Sequence, residues 1–173
     1  KGGRVRGLAV MSEYLSGQDC LPNTVVLLVG GEGKRLRPLT EDRPKPLLPV
    51  GDKPILETIL EQFVTQGFRR FVLAVSHQGD QIRRHFADGS RFNAEIRYVE
   101  DRKGLGTAGP LSLLPDGPRE PLVVMNGDLL TRVDFRALLD FHGEEKRLAT
   151  MCVREYDFQI PYGVARMKDH TLL

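Results

Sequence analysis

Three glycines, Gly30, Gly31 and Gly33, are followed at once by Lys34, Arg35 and Arg37, and Lys45 stands further on in a proline-rich stretch. Glycines let a backbone adopt left-handed angles and press its N–H groups against an anion, and neighbouring cations suit phosphoryl oxygens. The chemistry indicated is the holding of a phosphate chain. Two familiar ways of doing so are excluded by spacing. A Walker A loop needs Ser or Thr after its Gly-Lys, where Arg35 stands, and a glycine five places before that Gly-Lys glycine, where Leu28 stands. The dinucleotide fingerprint needs a third glycine three places after its second, which falls on Leu36. Read without further context, a glycine turn with solvated basic residues joining a strand to a helix remains an alternative.

A second glycine-rich stretch, GLGTAGPLSLL from Gly104 to Leu114, packs glycines around Thr107. Such a backbone can lie flat against a planar base before turning into a helix, and a helix start without a ligand is the competing reading. The apolar run PLVVMN, Pro121 to Asn126, ends at Gly127-Asp128. A carboxylate at the carboxyl end of a central strand points into the cleft where a divalent ion bridging phosphate oxygens sits. Asp128 could instead cap a helix, but Asp134 is better placed to cap the run through Phe135, Leu138 and Leu139.

GGEGKRLRPLTEDRPKPLLPVGDKPIL closely resembles the signature of the sugar-1-phosphate nucleotidyltransferases, also called nucleotide-sugar pyrophosphorylases. The arginine of GxGxRL falls at Arg35 and the lysine of PKP at Lys45. The resemblance implies an α/β fold with a three-layer αβα, Rossmann-like, mostly parallel sheet. It implies transfer of a nucleotidyl group from a nucleoside triphosphate to a sugar 1-phosphate, giving a nucleotide-sugar and pyrophosphate. A sugar phosphate is already an oxyanion, so no side chain has to deprotonate it, and catalysis rests on alignment and charge neutralisation.

On this resemblance Gly30, Gly31 and Gly33 bind the nucleotide, Arg35 holds the departing pyrophosphate, and Lys45 offsets charge near the α-phosphate. Asp128 fixes Mg²⁺, while Leu105, Gly106, Thr107 and Ala108 read the base. Gly163, within Tyr162-Gly163-Val164, matches a short YGV element whose glycine admits the sugar; taken alone, a glycine before a strand is more often a bulge. LGTAGPL looks most like the guanylyltransferase branch, which favours GTP and mannose 1-phosphate over CTP, UTP or dTTP. A regulatory relative that binds nucleotide-sugar without converting it, and a generic nucleotide-binding module, are the competing classes; Arg35, Lys45 and Asp128 together argue against the first, and the length of the signature argues against the second.

GRVRGLAVMSEYL near the N-terminus resembles the last strand and closing helix of a cystathionine-β-synthase-type (CBS) regulatory module. The expected organisation is residues 1–21 as the tail of such a module or a linker, Asp19 to Asn23 forming the link, and 22–173 as the nucleotidyltransferase domain. The family's later Glu-Lys-Pro element and second metal carboxylate do not follow YGV, so a C-terminally incomplete domain with weak or absent turnover, still able to bind nucleotide, is expected.

The elements needed to position these residues are legible in the hydrophobic pattern. A buried strand starts the glycine stretch, and prolines 38, 44, 46, 49 and 54 keep the segment after it stiff and irregular. Pro54 suits a first helical position, and helical spacing follows from Ile55, with Ile59 and Phe63 beside Leu56, Leu60 and Val64, and ends at Gly67. Strands are expected at Phe71–Val75, Ile96–Val99 and Ala149–Val153, with a helix at Gln78–Phe86. Such alternation implies right-handed crossovers and a largely parallel sheet.

Composition sets the outer bounds. The 173 residues are 40% hydrophobic and 28% charged, ordinary for one globular domain, and a net charge of +2 calls for neither nucleic acid nor a membrane surface. No apolar stretch approaches the ~18 residues of a membrane span. Cys20 and Cys152 form no CxxC pair, and His77, His85, His142 and His170 follow no zinc spacing, which suggests a reducing cytoplasm and a hard, oxygen-held cation. The sequence leaves a homo-oligomer open.

Overall fold

The computed structural model describes residues 20–114, 117–159, 162, 163 and 165–172. The CBS-like stretch lies outside them. Two units divide the chain, Lys1–Asp140 and Phe141–Leu173.

In the first unit, strand β1 (Leu21–Leu28) is followed by the glycine turn and by short 3-10 turns at Lys34–Leu36 and Lys45–Leu47. A minimal hairpin, β2 (Pro49–Val50) with β3 (Lys53–Pro54), leads into helix α1 (Ile55–Thr65). Then come β4 (Phe68–Val75), α2 (Gly79–Phe86), β5 (Glu95–Glu100) and β6 (Val123–Asn126). Helix α3 spans Phe135–Glu145.

The main sheet is parallel throughout in the order β5-β4-β1-β6. Val25, Val26 and Leu27 of β1 and Leu73 of β4 are fully buried, as continuous apolar runs in a parallel sheet should be. The crossovers through α1 and α2 both step outward from β1, so right-handed connections put both helices on one face. Val25, Leu27, Phe71 and Leu73 meet Leu56, Ile59, Leu60 and Phe63 of α1 and Ile82 and Phe86 of α2 in one core. The described helices of this unit thus supply one outer layer of the expected α/β architecture.

The helix boundaries follow local chemistry. Gly67, at φ +97°, closes α1 by donating its N–H to the Val64 carbonyl at 3.0 Å. Asp134 accepts the N–H groups of Arg136 and Ala137, both at 3.0 Å, and so caps α3 as expected.

Three expectations are corrected. Leu21–Asn23, read as linker, belong to β1: Leu21 pairs with Phe68, and a register irregularity between Leu21 and Thr24 accommodates Pro22, which has no N–H to give a ladder. The proline-rich segment is not wholly irregular. Its 3-10 turns and two-residue hairpin use local bonds that leave prolines outside the donor positions, and Pro54 stands one residue before α1 with extended ψ. Ala149–Val153, in the second unit, is not a strand. Met151 and Val153 there are 81% and 79% exposed, and without a paired neighbour alternation alone does not hold a strand. That unit also contains an antiparallel hairpin, β7 (Met167–Lys168) with β8 (Thr171–Leu172).

Phe63 anchors the core, stacking on Phe135 with centroids 4.1 Å apart and meeting Phe68 edge-on at 5.4 Å. Phe63→Ala should therefore destabilise the first unit by about 3–5 kcal/mol, read from the urea midpoint of an unfolding curve.

Candidate functional site

β1 sits between β4 and β6, and the chain reaches those neighbours by connections running in opposite directions along the sheet. Ligand crevices in such sheets open beyond the carboxyl ends of the strands at this point of reversal. Gly30 leaves the sheet there from β1, and Gly127-Asp128 leaves it from β6. The Gly127 N–H donates to the Leu28 carbonyl at 2.9 Å, and a Cβ on Gly127 would overlap Val29 Cγ1. Only glycine lets β6 close against β1 here, and that closure delivers Asp128.

The glycine turn is shaped from both ends. A Cβ on Gly30 would lie 2.9 Å from Ser76 Oγ. Gly33 is left-handed at φ +65°, and a Cβ on it would meet Thr40 Cγ2 at 2.9 Å and Lys45 Cβ at 3.3 Å. Gly31, by contrast, has open space around it. Buried Pro44, Pro46 and Leu47 seat the turn that carries Lys45. From there Lys45 Nζ donates to Asp128 Oδ2 across 83 residues of sequence.

Gly31, Gly33, Arg35, Lys45 and Asp128 line one hollow of about 720 Å³. A wider hollow of about 940 Å³ shares Gly31, Arg35, Lys45 and Asp128 and extends past Gly30 to Gly104, Gly106 and Thr107. Gly104 and Gly106 are left-handed, and Asp101 shapes their loop by accepting the N–H groups of Lys103 at 3.1 Å and Leu105 at 2.8 Å. Leu105 and Ala108 are not among the lining residues. Gly163 lies in the second unit, with open space at its Cβ position, and Val164 is outside the described residues.

Charges around the hollow are largely paired. Lys34 meets Glu32 at 2.8 Å, and this contact holds the Glu32 carboxyl below its ordinary value. Arg102 meets Glu100 at 2.9 Å and lowers its carboxyl in the same way. Among the described residues Arg35 has no carboxylate partner. It is the lining cation left ready for an incoming anion.

Among the described residues, no group of three His, Cys, Asp or Glu gathers as a metal cage. Mg²⁺ seldom uses one: it keeps several waters and binds through one or two carboxylates plus substrate phosphates. Asp128, a partly exposed hard oxygen donor beside the phosphate-type turn, fits that pattern.

Sequence reading missed Ser76, His77, Asp101 and Asn126, all lining the wider hollow. Their signal was position: Ser76 and Asp101 directly follow β4 and β5, and Asn126 ends β6, which puts them at the same carboxyl edge as the glycine turn.

A family model described as nucleotidyl transferase matches residues 24–172. The chain belongs to that family. Among nucleotidyl transferase relatives, a mannose-1-phosphate guanylyltransferase catalytic subunit beta from Drosophila pseudoobscura pseudoobscura is 37% identical over 155 residues, covering 83% of this chain and 42% of the relative. The chain thus spans about two fifths of the length of such relatives. HddC from Yersinia pseudotuberculosis, solved with GMP-PN, is 27% identical with a TM-score of 0.59, covering 69% of this chain and 54% of that one. A UDP-glucose pyrophosphorylase solved with UDP-glucose, 15% identical at a TM-score of 0.57 and covering 72% of this chain and 54% of its own, shares the fold. No described helix of this nucleotidyl transferase chain is long and apolar enough to cross a membrane.

The two turn glycines should respond differently to a methyl group. Gly33→Ala is expected to cost about 1–3 kcal/mol, through its left-handed angle and the Thr40 contact, whereas Gly31→Ala should stay within about 0.5 kcal/mol. Paired urea titrations of the two variants would measure the contrast.

Proposed function

We propose that this chain carries the nucleotide-binding and phosphate-aligning part of a sugar-1-phosphate nucleotidyltransferase, with GTP as the nucleotide and mannose 1-phosphate as the acceptor. The observation that carries this reading is that Gly31, Gly33, Arg35, Lys45 and Asp128 line the same hollow at the carboxyl edge of a parallel sheet. The guanylyltransferase relatives, and the GMP-PN bound to HddC, support the choice of base.

In this reading the glycine turn takes the β- and γ-phosphates, and Arg35, with its planar fork and no competing carboxylate among the described residues, holds them as pyrophosphate departs. Lys45 and Asp128 are each about one-third exposed, so their pair is screened and worth on the order of 1 kcal/mol. An arriving triphosphate can draw Lys45 toward the α-phosphate at little cost, leaving the Asp128 carboxylate for a cation. Bound there, Mg²⁺ would offset charge on the phosphate oxygens. The sugar phosphate attacks as an oxyanion in line with the leaving pyrophosphate, so the protein's task is to align two polyanions and exclude wrong geometries. Gly106 and Thr107, across the wider hollow, are where the base is read.

Thermal-shift titration with GTP, CTP, UTP and dTTP, each with and without Mg²⁺, tests the binding half of this proposal. GTP with Mg²⁺ should raise Tm most, and equal shifts for all four would defeat the base assignment. Pyrophosphate release with GTP, mannose 1-phosphate and Mg²⁺ tests the chemistry. Lys45→Ala and Asp128→Asn should each lower whatever rate is measured by about a hundredfold or more, and an unchanged rate in either would remove that residue from the mechanism.

A further inference from the structure

Two hydroxyls outside the glycine turn tie down two of its carbonyls. Ser76, the residue directly after β4, donates its Oγ–H to the Gly30 carbonyl. Thr40, only 4% exposed, donates from Oγ1 to the Gly33 carbonyl at 2.9 Å, and that oxygen also receives the Leu36 N–H at 2.8 Å. In a trans peptide the N–H points opposite to the C=O of the same unit. Holding the Gly30 carbonyl to Ser76 therefore turns the Gly31 N–H away from Ser76, and holding the Gly33 carbonyl to Thr40 turns the Lys34 N–H away from Thr40. Gly31 and Lys34 both line the smaller hollow, and among the described residues neither N–H has a hydrogen-bond acceptor.

The alternative conformation would be costly for an anion. The peptide between Gly30 and Gly31 is flanked by residues without Cβ atoms, so it can rotate about its flanking bonds more freely than any other in the turn. A flip would exchange the N–H for the carbonyl oxygen and turn attraction for a phosphate into repulsion.

We propose that Ser76 and Thr40 are positioning residues of the phosphate cradle: their hydroxyls fix the Gly30 and Gly33 carbonyls so that the Gly31 and Lys34 N–H groups face the polyphosphate of the nucleotide. The hydroxyl of Thr40 acts here, while its methyl packs against Gly33. The identity of the anion rests on the nucleotide reading above, but the cradle itself needs only a phosphate chain.

Calorimetric titration of the 173-residue chain with inorganic tripolyphosphate and with GTP separates the two ideas. Ser76→Ala and Thr40→Val, which lose the donor, should each weaken binding of both ligands about fivefold to tenfold, whereas Thr40→Ser, which keeps it, should stay within about twofold of the parent. Parent-like binding by Ser76→Ala and Thr40→Val overturns the inference, as does an equal loss in Thr40→Ser and Thr40→Val, the signature of packing. Should circular dichroism find Thr40→Val unfolded, partly exposed Ser76 decides the matter through Ser76→Ala alone. A parent chain that binds tripolyphosphate but not GTP would sink the nucleotide reading and leave the cradle standing, and one that binds GTP with unaffected variants would do the reverse.

Discussion

The seam between β1 and β6 is four residue pairs long, from Val25 with Val123 to Leu28 with Asn126, yet the site depends on it. The glycine turn and Asp128 are almost a hundred residues apart in the chain, and nothing local draws them together. Parallel pairing does so by aligning two strand ends at one edge of the sheet. Gly127 then permits an approach that any side chain would block, with its N–H bonded to Leu28 and the space of its missing Cβ filled by Val29. Asn23 braces the opposite end of the same seam, donating from Nδ2 to the Pro121 carbonyl at 2.8 Å. Packing of α1 beneath these strands makes the seam a rigid base.

On that base the electrostatics are arranged for exchange. Three carboxylates near the hollow have cationic partners, Asp128 with Lys45, Glu32 with Lys34 and Glu100 with Arg102. All three pairs keep contact with solvent, which makes them weak enough to rearrange when a more highly charged partner arrives. A deeply buried pair would have held Lys45 against any phosphate. Arg35 differs in having no carboxylate to leave among the described residues.

The two loops over the hollow solve opposite problems. The turn after β1 is constrained, with Gly33 pressed by Thr40 and Lys45 and two of its carbonyls held by hydroxyls. The loop after β5 is open at Gly104 and Gly106, where no atom of the described residues lies near the missing Cβ, and its form comes from Asp101 gripping backbone N–H groups. In the proposed reading, the fixed cradle suits a phosphate chain common to all nucleotides, and the more open loop suits the part of the ligand that varies.

Much of this was legible beforehand. Glycine spacing, the cations behind it and the proline-stiffened stretch pointed to a phosphate cradle because these are local properties of the backbone. The 3.6-residue pattern of α1, the Asp134 cap and the apolar strands were legible for the same reason. The strand read at Ala149–Val153 failed because alternation states a preference, whereas a strand exists only if a neighbour takes its hydrogen bonds. Position at the carboxyl edge of the sheet marked Ser76 and Asn126, but their roles, like that of Thr40, were unreadable, since a hydroxyl or an amide acquires its role only from what stands opposite it. By itself the sequence determined the chemical inventory and the local bends; tertiary structure decided which distant groups share one hollow, because that depends on strand order, register and the space left by Gly127, none of which is encoded in any short stretch.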